Sequence, residues 1–245
     1  MLLRCIGART LDIEKLTLSS RRRVGDNPGI EKVQRMPRSK SSSAWLRRHV
    51  NDPYVHRARA HGYRSRAAYK LIEIADRGGL ARHGDAVVDL GAAPGSWAQA
   101  LIERVGRSGR VVAVDLLEFT PIPGVTAIRG DFRDEAVLRR LDDALEGRKL
   151  DLVVSDMAPN LSGVRATDQA RSIDLCELAL DFARVHLKPQ GAFLVKVFQG
   201  TGYPEFLAAM RGVFAAVSSR KPGASRGGSS EMYLLGEGLK SRAGP

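Results

Sequence analysis

The fold of this chain is decided by the stretch Val87-Val88-Asp89-Leu90-Gly91-Ala92-Ala93-Pro94-Gly95-Ser96-Trp97. Its first four residues form a mostly apolar run that is typical of a buried strand, and the glycines and proline that follow are turn residues. From Trp97 to Ile102 the composition is helical. Glycines let a ligand approach the backbone, and the free N–H groups of a first helical turn face that ligand. The stretch therefore predicts a nucleotide-binding corner.

Residues around this turn narrow the choice of ligand. A dinucleotide fingerprint needs G-x-G-x-x-G after the strand, but Ala93 stands at the second glycine and Pro94 follows it, so a diphosphate loses its close backbone approach. A P-loop is excluded because no Gly-Lys-Ser/Thr follows. The acid Asp89 at the strand end suits a ligand with a cationic amino-acid end and no phosphate, which describes S-adenosylmethionine. The alternative is an ordinary tight turn without a ligand.

Length and composition indicate one α/β domain. A chain of 245 residues with 43% hydrophobic residues can bury a sizeable core. No apolar run is long enough to span a membrane, and residues 1–7 are too short an apolar segment for a secretory signal. Only two cysteines occur, and Cys176 lies in an apolar helical pattern that favours a small core residue over a nucleophile. We expect a cytoplasmic protein.

The net charge of +12 favours a polyanionic partner, nucleic acid before an anionic membrane, over a merely solvated basic surface. The charge is concentrated in residues 43–66, where cations alternate with aromatic rings. These residues are Trp45, Arg47, Arg48, His49, Tyr54, His56, Arg57, Arg59, His61, Tyr63, Arg64 and Arg66. Such a mixture suits RNA, because phosphates bind the cations and exposed bases stack on the rings. An amphipathic arm packed on the domain is an equally good interpretation, and both can hold.

The chain divides into four segments. Residues 1–44 have weak periodicity and are rich in Arg, Pro and Ser, which predicts a disordered basic extension. Met36 to Lys40 resembles a protein start, so residues 1–35 are either an extension or the product of a misassigned start codon. The remaining segments are a basic and aromatic RNA-contacting arm at 45–64, the catalytic domain at 65–238 and a short tail at 239–245.

Strands and helices alternate from Asp85 onward, after a helix that we expect to be capped by Ser65 and to end at Gly78-Gly79. The predicted strands are 86–90, 110–116, 125–130, 150–155, 192–197, 216–220 and 232–235, and the predicted helices follow Gly95 and span 134–145, 167–187 and 204–214. No helix separates the last two strands, so they should pair as an antiparallel hairpin at the sheet edge. The pattern predicts an α/β fold with a mostly parallel, doubly wound, seven-stranded sheet and ligands at the strand C-termini.

Two charged residues stand out at the ends of the predicted strands. Asp156 follows a buried strand, and Lys196 lies inside an apolar one. A lysine in such a run is costly unless it is paired or neutral. Since the fourth and fifth strands should be neighbours, Asp156 is the expected partner of Lys196. A structural ion pair without function is the alternative.

From about Trp45 to Leu235 the chain resembles the FtsJ family of S-adenosylmethionine-dependent RNA 2′-O-ribose methyltransferases, which have a Rossmann-like class I fold. Within that family it is most similar to the bacterial members that modify large-subunit ribosomal RNA. Six motifs in the right order carry the resemblance: residues 65–71, 89–97, 130–132, 155–160, 195–200 and 221–231. Six ordered motifs are far more specific than one glycine turn. The long N-terminus, and Ser96 where a second glycine is usual, depart from the family pattern.

The resemblance implies a catalytic tetrad and a set of cofactor contacts. The tetrad positions are Lys70, Asp156, Lys196 and Glu231, and the cofactor contacts are Gly95 and Trp97 in the turn, Asp115 at the ribose, Asp131 near the adenine and Asp156 near the methionine end.

The chemistry of methyl transfer supports these assignments. A ribose 2′-hydroxyl is a poor nucleophile because it holds its proton at neutral pH, whereas the sulfonium methyl is already activated. A neutral Lys196 could accept that proton, and a charged Lys196 could stabilise the developing alkoxide; the sequence leaves both open. Lys70 supplies a second cation, and Glu231 orients a lysine or the ribose. No metal is expected, because the five histidines show no ligand spacing.

The expected protein is a monomer that methylates the 2′-hydroxyl of a uridine in 23S rRNA within the assembled 50S subunit. This substrate follows from the resemblance alone, because relatives with the same tetrad act on tRNA or mRNA caps. A non-catalytic RNA-binding protein for ribosome assembly is a rival, but it has no need for Lys196 in an apolar strand. A nicotinamide-dependent oxidoreductase is disfavoured by Ala93 at the second glycine position.

Overall fold

The computed structural model describes residues 51–226 and 228–240. The predicted extension at 1–44, the first part of the arm and most of the C-terminal tail lie outside these residues. The helices are α1 (Pro53–Ala60), α2 (Ala68–Gly78), α3 (Ser96–Val105), α4 (Glu135–Leu145), α5 (Arg165–His186) and α6 (Tyr203–Val213). The strands are β1 (Ala86–Leu90), β2 (Arg110–Asp115), β3 (Val125–Arg129), β4 (Leu150–Ser155), β5 (Leu187–Phe198), β6 (Phe214–Arg220) and β7 (Glu231–Leu239).

The seven strands form one sheet in the order β3-β2-β1-β4-β5-β7-β6. Strands β1 to β5 pair in parallel, whereas β7 is antiparallel to both β5 and β6. The chain moves outward from β1 to β3 on one side and from β4 to β5 on the other, so the topological switch point lies between β1 and β4. The doubly wound seven-stranded sheet and its antiparallel terminal hairpin are thereby confirmed.

One detail of the hairpin differs from the sequence-based expectation. Of the two hairpin strands, only β6 lies at an edge of the sheet, and β7 lies inside the sheet between β5 and β6. Its register places Tyr233 opposite Lys196 and Glu231 opposite Phe198. The strand begins at Glu231 and is longer than predicted, because seven of its residues pair with β5.

Helices cover both faces of the sheet. On one face α4, α5 and α6 pack against side chains such as Val88, Val195 and Val197. On the other face α2 and α3 pack against residues such as Val87 and Leu194. Because side chains alternate along a strand, Lys196 points to the same face as Leu194, toward α2 and α3.

Cys176 of α5 lies on the opposite face from the Lys196 side chain and is a buried core residue, as predicted. Its thiol donates a hydrogen bond to the Lys196 carbonyl oxygen, with Sγ 3.2 Å from the oxygen. Burial raises the pKa of this thiol to about 12, so it remains protonated at neutral pH.

The prediction that Ser65 caps α2 was wrong. The helix begins at Ala68, because hydrogen bonds from Ala68 to Ser65 and from Tyr69 to Arg66 form tight three-residue turns first. The Ser65 hydroxyl instead accepts the Ala67 N–H and lies 2.7 Å from the Ser96 hydroxyl oxygen. This serine therefore joins the start of α2 to the glycine corner.

Gly91 allows the backbone of the corner to approach the segment after β4. Its φ is +79°, and a Cβ there would lie 2.8 Å from the Met157 backbone N and Cα. Gly91→Ala should therefore destabilise the fold by about 2–4 kcal/mol, through left-handed strain and a backbone clash. Urea unfolding at constant slope measures this change.

Gly147→Ala is the matched control for that measurement. Gly147 also has a positive φ (+72°), but no atom lies within 4 Å of its Cβ position. The control should lose only about 1–2 kcal/mol from strain. Equal losses in the two variants would show that the Met157 contact does not constrain the turn.

No helix within residues 51–226 and 228–240 is both long enough and apolar enough to cross a membrane.

Candidate active site

The four tetrad positions converge at the C-terminal ends of the central strands, beside the switch point. Lys196 lies near the end of β5, and Asp156 directly follows β4. Strand pairing places Ser155 opposite Val195, so the residues that follow them, Asp156 and Lys196, are brought together. Lys70 arrives from α2 and Glu231 from the start of β7. The tetrad thus combines four elements that are distant in the sequence.

Lys196 and Asp156 form the ion pair that the sequence predicts. The Lys196 Nζ lies 3.2 Å from Asp156 Oδ1 and donates a hydrogen bond to the Asp156 carbonyl oxygen at 2.6 Å. Lys196 is 7% exposed. The ammonium is therefore fixed by two oxygens of one residue, while its remaining hydrogen-bonding capacity is free to face a substrate.

Lys70 and Glu231 form the second pair. The Lys70 Nζ lies 2.7 Å from Glu231 Oε1 and 2.9 Å from Oε2. Burial favours a raised pKa for Glu231, but the charge and hydrogen bond of Lys70 and a hydrogen bond from Ser225 outweigh it, so the pKa lies below its usual value. Glu231 is therefore ionised at neutral pH.

Tyr233 links the two pairs, and sequence reasoning missed it. Its hydroxyl donates a hydrogen bond to Asp156 Oδ1 at 2.9 Å and lies 3.5 Å from Glu231 Oε1. Burial and the nearby Asp156 charge raise its pKa well above the usual value, so the hydroxyl stays protonated. The signal in the sequence was its spacing, since a residue two places after Glu231 in a strand shares its face.

The glycine corner contains a buried carboxylate with free hydrogen-bonding capacity. Asp89 at the end of β1 is fully buried, and in the described part of the chain neither of its oxygens accepts a hydrogen bond of normal length and angle, although the Ala98 N–H lies close enough to oppose the rise in its pKa. Burial raises its pKa well above the usual value, and the charges of Asp156 and Asp115 add to that effect. Orphaned buried acceptors next to two further acids fit a ligand that carries an ammonium and a sulfonium. The chemistry of this corner therefore suits S-adenosylmethionine.

Asp115 and Asp131, the residues assigned to the cofactor's ribose and adenine, lie at neighbouring strand ends. Asp115 ends β2, where its carboxylate accepts the Ala93 N–H at 2.8 Å and the Leu117 N–H at 2.7 Å. Each oxygen retains a lone pair for a ribose hydroxyl. The Asp131 carboxylate forms an ion pair with the Arg133 guanidinium, whose hydrogen bonds lower the pKa of Asp131. The Gly130 N–H donates to the Asp115 carbonyl oxygen, which brings the two acids together.

The structure places Gly95 and Trp97, the two predicted contacts in the turn, differently from each other. Gly95 has a φ of +101° and precedes α3 directly. Trp97 is only 2% exposed, and its indole N–H donates to the Ala67 carbonyl oxygen at 2.8 Å. Its ring packs against Tyr233 with centroids 5.7 Å apart. Trp97 therefore lies in the core beneath the site, and its cofactor contact stays a prediction.

Arg64 belongs to the predicted RNA arm, but its guanidinium binds the glycine corner. It donates to the Pro94 carbonyl oxygen at 2.9 Å and to the Pro121 carbonyl oxygen at 3.0 Å. A Cβ on Gly95 would lie 2.6 Å from the Arg64 Nη1, so this glycine makes room for the arginine. Arg64 thus joins the corner to the segment after β2.

The described part of the arm packs on the domain and also presents exposed cations. The hydroxyls of Tyr54 and Tyr63 hydrogen bond to Glu73 and Glu103, so these rings serve internal contacts. By contrast, the side chains of His56 and Arg59 on α1 are exposed and contact solvent. Packing on the domain is therefore confirmed for part of the arm, and RNA contact by its exposed residues stays a prediction.

Comparison with known proteins decides the family. The FtsJ-like methyltransferase family matches residues 63–239. The chain belongs to this family. It is 61% identical over 205 residues to Ribosomal RNA large subunit methyltransferase E of Chromobacterium violaceum, with 84% of this chain and 100% of that protein covered. The protein of the same description from Dechloromonas aromatica is 57% identical, with the same coverage.

A solved structure agrees with this assignment. The crystal structure of a ribosomal RNA methyltransferase from Plasmodium falciparum is 28% identical and has a TM-score of 0.65, and the match covers 74% of this chain and 100% of that one. The chain is accordingly a methyltransferase with a Rossmann-like sheet.

Proposed function

We propose that this FtsJ-like methyltransferase transfers the methyl group of S-adenosylmethionine to the ribose 2′-hydroxyl of a uridine in 23S rRNA. The single observation that carries the chemistry is the pair of buried Lys196 with half-buried Asp156, joined through Tyr233 to the Lys70–Glu231 pair, beside an acid-lined glycine corner. Two lysines held by carboxylates in one small site suit an alcohol that must lose its proton.

Six residues of the corner would hold the cofactor. Asp89 and Asp156 would face its cationic end, Gly95 would offer backbone close to it, Trp97 would support the corner, and Asp115 and Asp131 would bind the ribose and adenine. Leu116 and Leu117, both well exposed directly after Asp115, would offer apolar surface to the adenosine part of the cofactor. When bound, the cofactor supplies an activated methyl group on a sulfonium.

The residues of this chain provide orientation and charge for the reaction. Lys196 directs its Nζ at the 2′-hydroxyl, where it accepts the proton or stabilises the developing alkoxide. Asp156 and its carbonyl oxygen fix the Lys196 Nζ in one position. Lys70 adds a second positive charge, and Glu231 holds Lys70 in place. Alignment of the hydroxyl with the methyl group contributes the remaining rate enhancement.

The assignment of the RNA is supported by the relatives and by the charge. Relatives at about 60% identity are described as acting on the large ribosomal subunit RNA. A net charge of +12 and exposed cations on α1 suit a large polyanion. The proposal extends to the assembled 50S subunit as substrate, to a monomeric enzyme without a metal, and to a cytoplasmic location.

The test is methyl transfer from labelled S-adenosylmethionine to three RNAs: undermethylated large ribosomal subunits, bulk tRNA and capped mRNA. We expect label only on the large subunit, at a ribose of one uridine that nuclease mapping identifies. Free 23S rRNA, assayed beside the subunit, should be labelled more slowly. Label confined to tRNA or mRNA would overturn the substrate and keep the chemistry.

Absence of label on every RNA, with the cofactor bound, would instead favour the non-catalytic assembly protein. A basic surface in an assembly protein needs no buried Lys196 beside a second, ion-paired lysine, so this function is the second candidate.

A further inference from the structure

A stripe of side chains on α2 and the turn before it holds the segment that follows β6. Lys70 and Glu73 lie one turn apart on α2, and Arg66 lies four residues before Lys70, so all three point to one side. Lys70 binds Glu231. Arg66 donates a hydrogen bond to the Ala224 carbonyl oxygen and pairs with Asp52. The same stripe that carries the catalytic lysine therefore contacts the chain just before Glu231.

Glu73 accepts two hydrogen bonds at this stripe, one through each carboxylate oxygen. Its Oε2 accepts the Gly223 N–H at 2.6 Å, and its Oε1 accepts the Tyr54 hydroxyl at 3.0 Å. A Cβ on Gly223 would lie 3.1 Å from the Tyr54 oxygen, so the glycine allows this approach. Glu73 thus ties α1, α2 and the segment after β6 together through one carboxylate.

The held segment leads directly to the active site. Ala224 is fully buried, and next to it the Ser225 hydroxyl donates to Glu231 Oε1 at 3.0 Å. Glu231 in turn binds Lys70 through both oxygens. A shift of residues 223–225 would remove the Ser225 hydrogen bond and leave the Glu231 carboxylate oriented by Lys70 and by the longer 3.5 Å contact to the Tyr233 hydroxyl.

We propose that Glu73 is a positioning residue, which holds residues 223–225 so that Ser225 orients Glu231 and, through it, Lys70. This inference rests on the proposed catalytic role of the tetrad. Glu73 makes its hydrogen bonds to Gly223 and Tyr54 and would act on Glu231 through Gly223 and Ser225. A carboxylate suits this position because it can accept from two donors at once, which an amide cannot do without facing one donor with its own NH₂ group.

The experiment uses the full chain and compares Glu73→Ala, Ser225→Ala, the double variant and Glu73→Gln. Methyl transfer to undermethylated large subunits is measured against pH, and the KM for S-adenosylmethionine is measured with it. Each single variant should lower kcat about tenfold and leave that KM within about twofold. The kcat of the double variant should be no lower than that of the less active single variant, because both changes break one chain of contacts. Glu73→Gln should recover part of the rate.

The acid limb of the pH profile gives a readout that loss of stability does not move. The Ser225 hydrogen bond is one of the interactions that lower the pKa of Glu231. In Glu73→Ala that pKa should rise, so activity should be lost at a higher pH as the solution is acidified. Carboxyl NMR of Glu231 measures the same pKa without any turnover.

Asp76→Asn is the control, because Asp76 lies on the same helix but pairs with Arg104 at its exposed end. It should leave rate, pH profile and Glu231 pKa unchanged. An unchanged Glu231 pKa in Glu73→Ala, or additive losses in the double variant, would overturn the inference. Failure of the proposed function is distinguishable, since a wild-type protein without turnover still reports the coupling by NMR.

Discussion

Lys196→Ala should lower kcat for methyl transfer by about 10³-fold or more and leave the affinity for S-adenosylmethionine nearly intact. Asp156 holds this lysine in place, since the Lys196 Nζ makes two contacts to that residue. Loss of proton transfer or of alkoxide stabilisation costs two to four orders of magnitude, or about 3–5 kcal/mol in the barrier. Single-turnover assays and calorimetric cofactor titration separate the two quantities.

Lys188→Ala is the matched control for this variant. Lys188 lies on the same strand, β5, but at its far end, where it pairs with Asp151 and is half exposed. The control should leave the rate within about twofold, since exposed ion pairs contribute little. Lys196→Ala protein that folds normally but no longer binds the cofactor would show that Lys196 belongs to the cofactor site. Normal turnover in it would remove Lys196 from the mechanism.

Local patterns predicted the central part of this site, because burial and strand order follow from short-range signals. Apolar runs bounded by glycine turns identified β1, β2 and β4, and alternation with helices implied that β4 and β5 are neighbours. A lysine in an apolar strand is costly unless it is paired or neutral, so the sequence alone indicated Asp156 as the partner of Lys196. The structure shows this pair, with the Lys196 Nζ 3.2 Å from Asp156 Oδ1.

Contacts that depend on long-range register could not be predicted in the same way. The spacing of Tyr233 from Glu231 places the two on one face of a strand, but only the antiparallel pairing that places Tyr233 opposite Lys196 reveals that it joins Asp156 to Glu231. The same holds for Glu73, whose partner Gly223 lies 150 residues away.

Arg64 illustrates a different difficulty. Its surroundings in the sequence are basic and aromatic, which favoured an RNA contact, yet its guanidinium binds two carbonyl oxygens of the glycine corner and of the segment after β2. Cations that bind RNA and cations that bind backbone carbonyls have the same composition. Only the fold separates them.

Asp156→Asn should differ from Lys196→Ala by weakening both turnover and cofactor binding. Its Oδ1 serves Lys196 and Tyr233, while Oδ2 makes no hydrogen bond to any residue in the described ranges and is left for the cationic end of the cofactor. An asparagine that keeps its side-chain oxygen toward Lys196 turns its NH₂ group toward the cationic end of the cofactor. We expect kcat to fall about 10²-fold or more, and cofactor affinity to fall about tenfold.

Asp181→Asn is the control for the asparagine substitution, because Asp181 lies on exposed α5 surface, where it pairs with Arg184 at 3.5 Å. Its rate and cofactor affinity should match those of the wild type. The comparison of Asp156→Asn with Lys196→Ala is decisive, since Asp156 is assigned to both turnover and cofactor binding, and Lys196 to turnover alone. A loss of turnover with unchanged cofactor affinity in Asp156→Asn would confine Asp156 to orienting Lys196, and the buried Asp89 would then be the remaining carboxylate for the ammonium group.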